Sequence, residues 1–139
     1  MLSNPKKLVI SIIKANSKIV EELSYVLKPY DISIQQFNVL RILRGQRGVA
    51  ANLSTVQDRM VNKMSNTTRL IDKLINKKYV KRYVCKQNRR KIELFITSDG
   101  LSILNKLDLE IDKAEAFVAK NLSTDEQDKL NNLLKLINL

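Results

Sequence analysis

The chain has 139 residues, 44% of them hydrophobic, which supplies the core of one domain and excludes an unstructured polypeptide. It has no His, no Trp and a single Cys, Cys85, so an intrachain disulfide is impossible, a Cys/His zinc site lacks its ligands, and the commonest general base is missing. The net charge of +11 points to a polyanionic partner, either nucleic acid or an acidic membrane surface.

In chain order, the first predicted element is a long amphipathic helix from about Asn4 to Lys28. Asn4 serves as its N-cap and Pro5 as its first helical residue. Leu8, Ile12, Ala15, Ile19, Leu23 and Val26 recur at steps of three and four, and Val9, Ile13, Val20 and Leu27 widen that stripe. So broad an apolar face on so long a helix needs a second subunit to cover it. A second helix begins at Ser33, which pairs with Gln36 in a capping-box pattern and is followed by Phe37, Leu40 and Leu43. After an unusually apolar loop at Val49 to Ala51, a third helix runs over 53–64, capped by Ser54 and Gln57. A fourth runs over 65–78 from an N-cap at Ser65. Two short helices joined by a tight turn, the second basic and opening with small polar residues, form a helix-turn-helix pattern.

Two runs that favour strands follow, Tyr79–Val84 and Ile92–Ile96, the second alternating Ile92, Leu94 and Ile96 onto one face. Between them lies 86–91, with four basic residues in six: a hairpin with a basic tip, a wing. Asp99 and Gly100 open a helix to about Lys120, whose apolar positions are Leu101, Leu104, Leu107, Leu109, Ile111 and Ala114. Ser123 with Glu126 caps a last helix through Ile137. The fold class is therefore mainly α with a small β-hairpin wing, a winged helix-turn-helix with flanking helices.

Position tells more about the charge than its total. Residues 59–91 hold 12 of the 25 basic residues and 1 of the 14 acidic ones, Asp72, which leaves 13 of each sign elsewhere. The whole imbalance thus falls on the helix-turn-helix and the wing. Phosphate contacts supply most of the affinity of such a face, and base contacts its sequence preference. At the start of the fourth helix Ser65, Asn66, Thr67, Thr68 and Arg69 are the candidate base readers, with Lys73 beside them: Asn pairs with adenine, Arg with guanine, and Thr touches the thymine methyl. Arg89, Arg90 and Lys91 at the wing tip suit the minor groove.

The run from Ile32 to Leu104 resembles the core of the MarR family. Ser33-Ile34-Gln35-Gln36-Phe37 is similar to the family's opening of its second helix, and Thr68-Arg69-Leu70-Ile71-Asp72-Lys73-Leu74 to its recognition helix. Val80-Lys81-Arg82, Asn88-Arg89-Arg90 and Ile96-Thr97-Ser98-Asp99-Gly100 follow in the family's order, and Leu122 to Glu126 resembles the entry to its last helix. The resemblance implies a homodimer joined through residues 4–31 and 99–139, with residues 32–98 as the DNA-binding lobe, all within one domain over 1–139. It also implies binding of double-stranded DNA at a near-palindromic promoter site, as a repressor relieved by a small-molecule effector. The family's ligand cavity, between the dimerisation helices and the lobe, implies contributions from Tyr25, Tyr30 and Phe37.

Two positions depart from the family. Asn88 stands where Asp is usual, which turns an Asp–Arg brace into a neutral hydrogen bond. Lys78 stands where Gly usually ends the recognition helix, at a cost of roughly 1 kcal/mol if the backbone there is left-handed. Cys85 is expected to be a small strand residue, since the family's redox-sensing cysteines lie near the N-terminus.

No catalytic residues, metal site or cofactor are expected. There is no His, no phosphate loop and no nucleophile motif, so the chain is not expected to be an enzyme. No stretch nears the roughly 18 apolar residues of a membrane span, and a cytoplasmic protein without a membrane partner is expected. The alternatives are a dimeric interaction module and a polyanion or membrane-surface binder without specific DNA recognition. The few aromatics and the spread of charge over both a helix and a hairpin count against the membrane.

Overall fold

The computed structural model describes all the residues, Met1–Leu139. Helix α1 (Asn4–Leu27) packs along α5 (Ser98–Ala119). Between them in sequence come a single 3-10 turn (Lys28–Tyr30), α2 (Ile34–Gly45), α3 (Leu53–Arg59), α4 (Thr67–Asn76) and the strands β1 (Val80–Val84) and β2 (Ile92–Ile96), and α6 (Thr124–Ile137) is the last element. The strands pair antiparallel with Val80 opposite Ile96 and Val84 opposite Ile92.

The local chemistry of the helix starts decides where the elements begin. At α2 and α6 the capping boxes form as expected: Ser33 and Ser123 accept the backbone N–H of Gln36 and Glu126, whose side chains accept in return from the capping residue's N–H. Three other starts differ. Ser3 precedes α1, so Asn4 is its first residue. At α3 the cap is Asn52, not Ser54, because Asn52 Oδ1 reaches the Thr55 amide at 2.7 Å and also accepts the Ser54 and Thr55 hydroxyls. At α4 it is Asn66, not Ser65, its Oδ1 accepting the Arg69 amide at 3.2 Å. The third helix also stops at Arg59, five residues before Met64, since the backbone turns extended at Met60. Val61 consequently stands exposed rather than in the core.

The core lies beneath the lobe, where Leu27, Leu40, Leu43, Val56, Leu74, Leu94, Leu104 and Leu107 are buried. Leu94 is the inward residue of β2, flanked by half-buried Ile92 and Ile96. The apolar loop before α3 proves to be part of this packing. Ala51 exchanges both backbone hydrogen bonds with Leu94, at 2.7 and 3.1 Å, and so adds a one-residue third rung to the wing sheet. In α5, Leu104, Leu107, Ile111 and Ala114 turn inward while Leu101 and Leu109 stay exposed.

Two features fix the wing's base. Lys78 adopts φ +65°, the left-handed conformation that its place after the recognition helix demands, and passes the chain from α4 into β1. Thr97, the cap of α5, donates its hydroxyl to Lys78 O at 2.8 Å and accepts the Gly100 amide at 3.0 Å. Gly100 is buried against this junction; a Cβ there would lie 2.4 Å from the Tyr79 carbonyl oxygen.

The flanking helices are not covered within one chain. Of α1 only Leu27 is buried; Leu8, Val9, Ile13 and Val20 are exposed. No residue of α6 is buried, and Leu130, Leu133, Leu136 and Ile137 are open to solvent.

Candidate nucleic-acid interface

Helix α4 is held by its apolar side, with Ile71 and Leu74 in the core and Leu70 and Ile75 at its edge. That leaves Asn66, Thr68, Arg69, Asp72 and Lys73 exposed. Asp72 binds Arg82 of β1 at 3.2 Å and so ties recognition helix to wing. Arg69 and Lys73 form no ion pair, nor do Arg89, Arg90 and Lys91 on the wing. These five cations, two on α4 and three on the wing, are uncompensated.

The wing tip is ordered without an acid. Cys85 N–H bonds to Lys91 O at 2.9 Å and closes the loop, the Lys91 amide returns to Asn88 O, and Asn88 Oδ1 accepts the Arg90 amide at 3.1 Å. Asn88 thus braces the backbone rather than a guanidinium, and Arg89 and Arg90 keep theirs free. Cys85 is half-buried one residue past β1, not within the strand as expected, because its N–H closes the wing loop.

The other two candidates at the head of α4 sit differently. Thr67 is buried and donates its hydroxyl to the Gln57 side chain of α3, so it joins the two helices instead of facing outward. Ser65 is half-buried with its Oγ unpaired, at a depression of about 390 Å³ between the starts of α3 and α4. Asn66 uses its carbonyl as the cap and keeps its amide N–H groups for a partner.

A helix-turn-helix with a basic, braced wing between flanking helices is the arrangement on which the comparisons converge. The sequence model of the MarR family matches residues 32–92. Residues 32–92 carry a MarR-family domain. It is similar to the HTH-type transcriptional regulator SarZ of Staphylococcus haemolyticus, 27% identical over 120 residues, which cover 86% of this chain and 79% of that one. Among solved structures, a cysteine-to-serine mutant of Escherichia coli MarR complexed with operator DNA superposes with a TM-score of 0.84 at 26% identity, over 94% of this chain and 93% of that one. Bordetella bronchiseptica BpsR, solved to explain regulation of its DNA binding by 6-hydroxynicotinic acid, shares the fold with a TM-score of 0.85 at 20% identity, over 96% and 99% of the two chains.

The expected effector residues do not line one pocket. Tyr25 is 76% exposed, Tyr30 packs half-buried on the core, and Phe37 is buried with the Arg41 guanidinium 5.4 Å from its ring centroid. The open groove between the end of α1, the start of α2 and α4 is lined by other residues: about 660 Å³ bounded by Ser24, Lys28, Asp31, Gln36, Lys73 and Lys77, among others. Lys77 spans it, its ammonium binding both the Asp31 backbone carbonyl and, at 3.3 Å, the Asp31 carboxylate. The family resemblance implied the aromatics Tyr25, Tyr30 and Phe37; the side chains that line this groove are mostly polar.

Proposed function

We propose that the protein is a sequence-specific double-stranded DNA-binding transcriptional regulator, not an enzyme. It acts as a homodimer in the cytoplasm and represses from a near-palindromic promoter site. The observation that carries this reading is the set of uncompensated cations, Arg69 and Lys73 of α4 with Arg89, Arg90 and Lys91 of the wing. A recognition helix in the major groove would bring Asn66, Thr68 and Arg69 to base edges, while the wing reaches the flanking minor groove. The operator complex of Escherichia coli MarR, alike in fold at 26% identity, supports the same use of this one.

The dimer rests on the exposed apolar stripes of α1 and α6, which water would otherwise cover at about 25 cal/mol per Å². In this division 4–31 and 99–139 join the subunits and 32–98 is the DNA-binding lobe. The effector is an anionic small molecule held by Lys28, Lys73 and Lys77. That groove borders the recognition helix, and the ligand-regulated DNA binding of BpsR supports this choice.

The test is fluorescence-polarisation binding to the DNA upstream of the protein's own reading frame and to a scrambled duplex, across a salt series. The native duplex wins by more than tenfold, and log K falls by about 0.9 per phosphate neutralised. Arg90→Ala lowers affinity and, with one wing per subunit, makes the slope shallower by about 1.8. Equal, weak binding to both duplexes that Arg90→Ala leaves unchanged refutes the wing's role and favours an interaction module.

A further inference from the structure

The turn between α3 and α4 holds two apolar side chains out into water: Val61 is 87% exposed and Met64 91%. Looseness does not explain this, because the turn is pinned on both sides. Val61 N–H donates to Asn38 Oδ1 of α2 at 2.9 Å, and Gln57 Nε2 of α3 donates to Lys63 O at 3.2 Å. Within the turn, Asn62 accepts the amides of Met64 and Ser65 at 2.9 and 3.2 Å. Met64 is therefore an apolar group on a rigid mount two residues before the cap of the recognition helix. Lys63 beside it in the turn and Arg69 in the first turn of the helix that follows are cationic and exposed. A surface of that charge selects a polyanion, and the turn is continuous with the helix end that would enter the major groove. The thymine C5 methyl is the apolar group that the major-groove edges of base pairs present.

We infer that Met64 is a specificity-determining residue that packs on a thymine methyl beside the bases read by α4. The inference rests on the DNA-binding reading above. An unbranched thioether suits the task, since it adapts its shape to a flat apolar partner without requiring a hydrogen bond. The contact adds discrimination for thymine at a position that the polar readers Asn66, Thr68 and Arg69 do not cover.

The experiment first enriches duplexes from a random-sequence pool with the wild-type protein. Each thymine of the enriched duplex is then replaced in turn by deoxyuridine, which removes the methyl and keeps every hydrogen-bonding group. One thymine per half-site should weaken wild-type binding about fourfold when its methyl is lost, and the symmetric pair about fifteenfold, as expected from one buried carbon each. Met64→Ala should bind the unmodified duplex correspondingly weaker and be indifferent to that deoxyuridine. If no thymine methyl matters, or if its effect persists in Met64→Ala, the inference is wrong while DNA recognition stands. If the wild type enriches no sequence at all, both fall.

Discussion

Gly100→Ala is the substitution whose outcome the structure fixes most narrowly. The new Cβ would lie 2.4 Å from the Tyr79 carbonyl oxygen and 2.7 Å from Ile96 Cγ1. The isoleucine can rotate away; the carbonyl cannot. It accepts the Thr97 amide at 3.0 Å and sits between the left-handed Lys78 and Val80, which pairs with Ile96. Relief requires the first turn of α5 to back away by about 1 Å, which stretches the Thr97 hydroxyl bond to Lys78 O. Overpacking of this kind costs about 1–3 kcal/mol, and a weakened hydrogen bond adds about 1 kcal/mol. At about 4 °C per kcal/mol for a chain of this size, the melting temperature should drop by about 8–16 °C. The assay is thermal unfolding by circular dichroism at one fixed protein concentration, because self-association links melting to concentration. Gly45→Ala is the control of opposite sign: nothing lies within 4 Å of its Cβ position, and a helical glycine so replaced stabilises by about 0.5–1 kcal/mol. A Gly100→Ala protein melting within about 2 °C of wild type would refute the close-approach argument.

Lys78→Gly should raise the denaturant midpoint without changing the slope, by about 0.5–1 kcal/mol, because glycine adopts φ +65° freely; no gain would mean that the lysine is not strained there. Asn88→Ala removes the turn's brace but no charge, so DNA affinity should fall several-fold with an unchanged salt slope, and a shallower slope would show that Asn88 acts on the charges instead. Glu126 has its carboxyl held below the ordinary glutamate range by the backbone N–H and then the hydroxyl of Ser123. A depressed pKa stabilises the fold above the group's unfolded value, and that contribution is lost as pH falls through the folded value. An NMR titration of Glu126 should therefore show a midpoint below about 4.3, and a midpoint at or above it would mean that the capping box does not persist in solution.

Much of this architecture is legible in the sequence because local chemistry specifies it. Ser33 and Ser123 each have one partner at the right spacing and one cap that fits. The wing follows from alternation in Ile92–Ile96, and the left-handed Lys78 from its place after the recognition helix. The helix-turn-helix turn is harder, because it offers rival caps. Ser54 and Ser65 match the pattern, yet Asn52 and Asn66 reach the free amides, and a shift of one or two residues turns Thr67 inward and leaves Met64 in solvent. The lining of the groove is not legible in this way. Which side chains meet between α1, α2 and α4 is set by packing distances that no local pattern encodes, and Phe37 was needed for the core. The extent of the uncovered stripe on α1 is likewise a tertiary fact, since its periodicity alone does not tell which residues α5 shields.

Asp72 is the one acid in the basic stretch, and it is paired with Arg82 across the gap between helix and wing. Both groups are about half exposed, so the pair is worth under about 1 kcal/mol and weakens as salt is added. In the DNA-binding reading, the tie biases the spacing of α4 and the wing by no more than that energy. Neutralising Asp72 would release a cation for any DNA and remove that bias. The residue that lowers the charge of this surface is thus also the one that links its two elements.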